Sequence, residues 1–218
     1  MDDDFFSHTG SAREDWILRH DAPAWCHPSV SVVLGGAPSI TIKVAPDYWG
    51  YSKGEFMRTP MKPKTAQAIA DRYNYMLPTT KIVTALLDAG GHRLHAYTQS
   101  TRNDEAYHKI NAGNERDCLP YLREELVCGH RKDIVISNYI TQGKIAIFGW
   151  HGAAGTKPIQ PLSTVHSDDY VDYSHGVRMI SRACSVDGAD MDLVEVLKNR
   201  ALCGALSSEG PLRVLAYR

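Results

Sequence analysis

Four short strings carry the residue types that do proton chemistry: Gly129-His130-Arg131-Lys132-Asp133, Gly149-Trp150-His151-Gly152, Thr164-Val165-His166 and Asp172-Tyr173-Ser174-His175-Gly176-Val177-Arg178. They hold four of the ten histidines. Histidine has the side-chain pKa closest to neutrality and is the default general acid or base. Strings on neighbouring antiparallel strands bring their side chains within reach of one another. On an unbroken strand through residues 172–178, alternation puts Tyr173, His175 and Val177 on one side and Asp172, Ser174, Gly176 and Arg178 on the other. Ser174 and His175 then project apart and make no nucleophile–base pair, so His175 is expected to work with a group from a neighbouring strand. Asp133 opens its own strand. It is expected to project to the His175 side and hold the imidazole in one tautomer, with Lys132 on the opposite side. Arg178 is the candidate for binding a carboxylate or an oxyanion. The candidate catalytic set is therefore His175, Asp133, His151, His130, Tyr173 and Arg178, with His166 and Asp172 lining the same pocket. Tyr48, Trp49, Trp150 and Lys132 are the candidate substrate contacts.

Metal binding is the competing use. His166 and His175, with His151 or Asp172, would make a three-ligand zinc site with an open position. The spacing matches no His-Glu-x-x-His helix, and no metal ligand is assigned. No glycine-rich loop follows a strand and opens a helix, so no nucleotide is expected. His130-Arg131-Lys132 has the His-x-Lys half of a phospholipase D motif, but Ser137 stands where that motif needs Asp, and a second copy is missing. Residues 152–155 read as a hairpin turn. The five cysteines (Cys26, Cys118, Cys128, Cys184 and Cys203) include no Cys-x-x-Cys pair and read as buried small hydrophobes.

The positioning elements follow from periodicity. Residues 11–19 form a helix capped from Thr9 or Ser11, with Glu14 placed for a capping box. Residues 30–34 and 39–45 pair as a β-hairpin, with Ile40, Ile42 and Val44 on one face. Residues 46–63 read as a loop rich in aromatic side chains, which favours packing over a binding cleft. Helices follow over 65–75 and 81–89, the second capped by Thr79 or Thr80. Residues 92–116 are weakly patterned, with a helix start near 107–110, and 119–127 reads as a helix. Strands are expected over 133–140, 144–148, 159–165 and 170–180, then a helix over 191–199 and a returning strand over 212–217. This order predicts one α+β domain over residues 1–218, a largely antiparallel sheet with helices on one side and the polar cluster within 129–182.

Composition narrows the function. Of 218 residues, 24 are Lys or Arg and 25 are Asp or Glu, so the chain lacks the basic excess of a general nucleic-acid binder. Apolar residues make up 43%, enough for a conventional core in a chain of this length. No apolar run approaches the roughly 20 residues of a membrane span. The start, Met-Asp-Asp-Asp-Phe-Phe, is acidic where a secretory leader is basic, so either a cytoplasmic protein or one without its leader is expected.

The first, second and fourth strings, with Ile134-Val135-Ile136 following the first, Ile145-Ala146-Ile147-Phe148 leading into Gly149, and Pro158-Ile159-Gln160-Pro161-Leu162, resemble a widespread, functionally uncharacterised bacterial family. Pro46-Asp47-Tyr48, Pro60-Met61, Thr65-Ala66-Gln67, Ile69-Ala70-Asp71 and Leu77-Pro78-Thr79 with Lys81 add to the resemblance, which spans about residues 9–208. Its members often carry an export leader. Similar sequences tend to place a cysteine just before Leu-Pro-Thr, where this chain has Tyr75-Met76. That departure counts against a papain-like or cell-wall amidase mechanism, which needs a nucleophilic cysteine at a helix start. The expected function is a hydrolase or lyase acting on an extracellular polymer (peptidoglycan, peptide or glycan) through acid/base chemistry centred on His175. The alternatives are a binding module whose aromatic residues 48–56 grip a ligand, and a metal-dependent hydrolase.

Overall fold

A computed structural model describes residues 4–53, 55–89, 91–151 and 157–218. Helix α1 (Gly10–Arg19) starts after Thr9, but Glu14 closes no capping box; its carboxylate accepts the Lys62 N–H at 3.0 Å instead. Strands β1 (Val30–Leu34) and β2 (Ile40–Val44) pair antiparallel from Val30↔Val44 to Leu34↔Ile40. Ile40, Ile42 and Val44 are fully buried and Lys43 is exposed, which is the expected period of two.

Residues 46–63 are not all loop. They contain a second antiparallel hairpin, β3 (Gly50–Lys53) and β4 (Glu55–Arg58). Gly50 serves close approach here, since a Cβ would stand 2.4 Å from the Met57 carbonyl oxygen and 2.7 Å from the Phe56 ring. Helix α2 (Pro63–Arg72) begins on its proline and stops earlier than the apolar pattern. Asn74 turns the chain with φ 56°, and Tyr75–Met76 leaves as strand β5. Helix α3 (Thr80–Asp88) is capped as expected, the Thr79 hydroxyl accepting the Ile82 N–H at 3.1 Å.

After β6 (His92–Arg93) comes α4 (Asp104–Cys118), capped by the Asn103 side chain, with Asp104 and Glu105 in its first turn. Its buried face includes Asn111 and Asn114, which hides the apolar period. The helix expected over 119–127 is not formed. Pro120 follows the end of α4, and the chain turns into β7 (Val127–Cys128), parallel to β6. Strands β8 (Lys132–Ile134), β9 (Ile147–Gly149), β10 (Gln160–Ser163) and β11 (His175–Gly176) are shorter than the apolar runs that contain them. They form a sheet in the order β10-β9-β8-β11, with β11 parallel to β8. The turn expected at 152–155 lies outside the described residues.

Strand β12 (Ile180–Val186) is the centre of the larger sheet, bonded to β2, to β13 (Ala189–Asp192) and to β5. Helix α5 (Leu193–Lys198) packs on β12 and β13. Residues 212–217 return without strand pairing. Tyr217 is buried and its hydroxyl donates to the Val135 carbonyl at 2.6 Å and accepts the Ala146 N–H at 3.0 Å. The fold is α+β with mostly antiparallel sheets. Among the described residues no helix is long and apolar enough to cross a membrane.

Residues 177–179 join the two sheets and are buried, with Val177 accepting the Trp49 N–H at 2.8 Å and Met179 accepting the Ala45 N–H at 2.9 Å. Just before them, a Cβ on Gly176 would stand 2.7 Å from both Arg131 Cβ and the Tyr48 ring. Gly176→Ala therefore has to displace backbone-anchored neighbours. It is expected to cost about 1–3 kcal/mol or more in urea unfolding, as overpacking does. An unchanged midpoint would show that the strand has room to move.

Candidate active site

The β11–β8 register decides which side chains meet. His175 pairs with Lys132, and Gly176 with Asp133. Partners across a ladder share a side of the sheet, so Lys132 lies on the His175 side and Asp133 on the other, the reverse of the expectation from alternation. The expected continuous strand over 172–178 is also broken. The Asp172 carboxylate accepts the Ser174 N–H at 2.9 Å and its carbonyl accepts the His175 N–H at 3.0 Å, a turn closed by an Asp side chain.

The His175 side forms an outer group. His175 is 1% exposed, and neither ring nitrogen has a hydrogen-bond partner among the described residues. Burial pushes its pKa down to about 3 against the opposing pull of Asp172, so the ring is neutral. Burial would raise Asp172, but hydrogen bonds from Ser174 N–H, from Ser174 Oγ at 2.7 Å and from Tyr170 Oη at 2.8 Å hold it at about 2. Ser174 thus commits its hydroxyl proton to Asp172. Tyr170 stacks on His166 at 4.1 Å and meets the His175 ring edge-on at 5.6 Å. Lys132 is half-buried, its Nζ 4.5 Å above the Trp150 ring, and burial pulls its pKa down while Asp172 pulls it up. Trp150 holds φ 59°, a strained conformation for a tryptophan.

The Asp133 side forms an inner, enclosed group. Tyr48 Oη donates to Asp133 Oδ2 at 2.9 Å, and the Arg178 guanidinium lies 4.2 Å over the Tyr48 ring. Burial raises Asp133 to about 7 in spite of Arg178 and Tyr48. Arg178 donates to the carbonyls of Ala45, Pro46 and Val127 at 2.7, 3.0 and 2.7 Å, so it ties three segments together and has no fork free for an oxyanion. His130 Nε2 stands 3.5 Å from Asp47, and burial lowers its pKa to about 4. Asp47 is held well below the usual carboxylate range: burial opposes this, but Arg58, bidentate at 2.9 and 2.5 Å, and His130 outweigh it.

The remaining candidates fall elsewhere. Tyr173 Oη accepts the Gln99 N–H at 3.1 Å and donates to the Gln99 carbonyl at 2.8 Å, fixing a loop. Tyr48 and Trp49 are 2% and 3% exposed and present no ring to a ligand. His151 is buried against Phe148, its nitrogens without partners. The outer group thus unites His175, Lys132 and Trp150, and the inner one Asp133, Tyr48, Arg178 and His130. Among the described residues no group of three or more His, Cys, Asp or Glu side chains is placed to hold a metal ion. All five cysteines are free and buried. Met76, just before Leu77-Pro78-Thr79, is paired with Ile180 in the large sheet. Sequence reasoning missed Tyr170 and Arg102, which donates to the Tyr170 hydroxyl at 2.8 Å, and the Asp47–Arg58 pair. Tyr170 stands two residues before Asp172, the one signal that could have found it.

The chain matches no family model, no curated protein and no solved structure. The site therefore stands on its own geometry.

That geometry sets opposing proton linkages. His175 and His130 stay neutral in the fold but protonate in the unfolded chain below about pH 6.5, so the unfolded state binds more protons and stability falls on acidification from about 6.5 towards 4. Asp133 keeps its proton up to about pH 7 in the fold and releases it near 3.8 when unfolded, so its contribution falls as pH rises between those values. In urea unfolding between about pH 4.5 and 6, His175→Gln is expected to reduce the rise of stability with pH by about 1.4 kcal/mol per unit, one proton's worth. Asp133→Asn is expected to stabilise the protein at about pH 8 relative to pH 4. Unchanged slopes in both variants would contradict these assignments.

Proposed function

We propose that the protein is a hydrolase or lyase acting on an extracellular polymer (peptidoglycan, peptide or glycan), with His175 as its proton-transfer group. The observation that carries this reading is His175 itself: a buried, neutral imidazole with two unpartnered nitrogens beside a fixed Asp172 charge. Buried polar groups without partners are rare in native folds and collect at functional sites. The neutral ring is the form that can take up a proton; burial weakens it as a base, and Asp172 opposes that loss by favouring the imidazolium. Asp172 thus takes the supporting place first assigned to Asp133. The resemblance to a family whose members often carry an export leader supports the extracellular substrate.

A second reading, a binding module without catalysis, has one observation in its favour. His175 is 1% exposed, and two open clefts lie away from it: one of about 720 Å³ lined by Trp25, Pro46, Arg123 and Glu124, another of about 480 Å³ lined by Lys81, Tyr139, Phe148 and Glu209. Incubation with peptidoglycan and common polysaccharides separates the two. Soluble fragments are expected, and His175→Asn is expected to cut their release by on the order of a hundredfold or more while the melting temperature stays near that of the unmodified protein. Binding without fragment release favours the module. A folded His175→Asn protein that releases fragments at the full rate removes His175 from the chemistry.

A further inference from the structure

Lys132 is half-buried, but its Nζ stays open to solvent; it makes no hydrogen bond or ion pair to any described residue and lies 4.5 Å over the Trp150 ring. An ammonium over an aromatic ring keeps its N–H donors available to an incoming anion, since the cation–π contact does not use them. Asp172 attracts the ammonium without forming an ion pair with it, because its oxygens are taken by other donors. Asp172 Oδ1 accepts both Ser174 donors, and Oδ2 accepts Tyr170 with Arg102 Nε at 3.8 Å. Lys132 and Arg102 against Asp172 leave the face one positive charge in excess. The platform beneath the ammonium is itself held under strain: Trp150 keeps φ 59° while its N–H donates to Arg131 at 2.9 Å and its carbonyl accepts Ile159 at 3.1 Å.

We infer that Lys132 receives a carboxylate of the substrate, and that the polymer is an acidic, carboxylate-bearing glycan. The inference rests on the reading of the His175 face as the reaction site and adds the substrate's charge and class. Lys132 and the exposed Arg102 stand against the single Asp172 carboxylate, so a monoanionic carboxylate neutralises the face where a phosphate dianion would leave it negative. The register sets Lys132 directly beside His175, so a carboxylate held there lays the adjoining bonds of the substrate over the imidazole. Tyr170 and His166 stack at 4.1 Å and are each only half-buried, which leaves part of the aromatic pair open to contact with a sugar ring. A peptide would need a sheet edge to extend, and β11 is two residues long.

Calorimetric titration of the whole protein tests this without relying on turnover. The probes are oligogalacturonate and its carboxyl-reduced form, with soluble peptidoglycan peptides and their amidated forms as the second arm. Oligogalacturonate is expected to bind at least roughly tenfold more tightly than its reduced form, weakening between about 0.05 and 0.5 M salt. Lys132→Met is expected to abolish that preference and Lys132→Arg to keep part of it. Equal affinity for charged and neutralised glycan, a preference that survives Lys132→Met in a folded protein, or no binding of any glycan overturns the inference. A preference confined to the peptide arm does so too. Charge-selective binding without cleavage keeps this inference and removes the catalytic reading; cleavage without charge selectivity does the reverse.

Discussion

The parallel contact between β11 and β8 is the constraint on which the site depends. It is only a two-residue ladder, His175↔Lys132 and Gly176↔Asp133, yet it sorts the charged residues of two sequence strings onto opposite sides of one sheet. The contact requires Gly176, whose missing side chain admits the Tyr48 ring and Arg131. Residues 177–179 then carry the same segment into β12, at the centre of the larger sheet. The position of His175 is therefore fixed from both sheets at once.

Burial inverts the ordinary order of pKa values across this contact. The histidines at 130 and 175 are pushed down, and the carboxyl at 133 is pushed up to about 7, where histidines normally titrate. Sequence composition draws attention to histidine because of its intrinsic pKa, but desolvation outweighs the intrinsic value when a group is enclosed. Orphaned imidazoles, an Arg131 with two unpartnered nitrogens and a tryptophan at positive φ all oppose stability, and all lie within these short strings. Sites that break local rules are where function is expected to override folding economy.

Much of the frame was legible. The alternation of Ile40, Ile42 and Val44 announced the hairpin, and Thr79 announced the start of α3, because each signal is local. The convergence of the 129–133 and 172–178 strings was legible as well, but not its handedness. The alternation argument assumed extended backbone through residue 172, and the Asp172 side chain instead closes a turn on Ser174. Helix α4 was legible only as a start near 107–110; its extent was hidden because Asn111 and Asn114 occupy its buried face, Asn111 bonding the Phe56 carbonyl at 2.7 Å. Arg178 looked like an anion binder because its partners are backbone carbonyls at 45, 46 and 127, which carry no signature in residue type.

This fold encloses His175 as a neutral imidazole beside an Asp172 carboxylate held charged down to about pH 2. Nuclear magnetic resonance of the imidazole nitrogens, assigned with His175→Gln, tests it directly. The His175 signals are expected to keep their neutral-ring shifts from about pH 8 down to about 4.5. A titration of those signals with a midpoint near 6.5 would mean that the ring is solvated, and would contradict the enclosure on which the site is built.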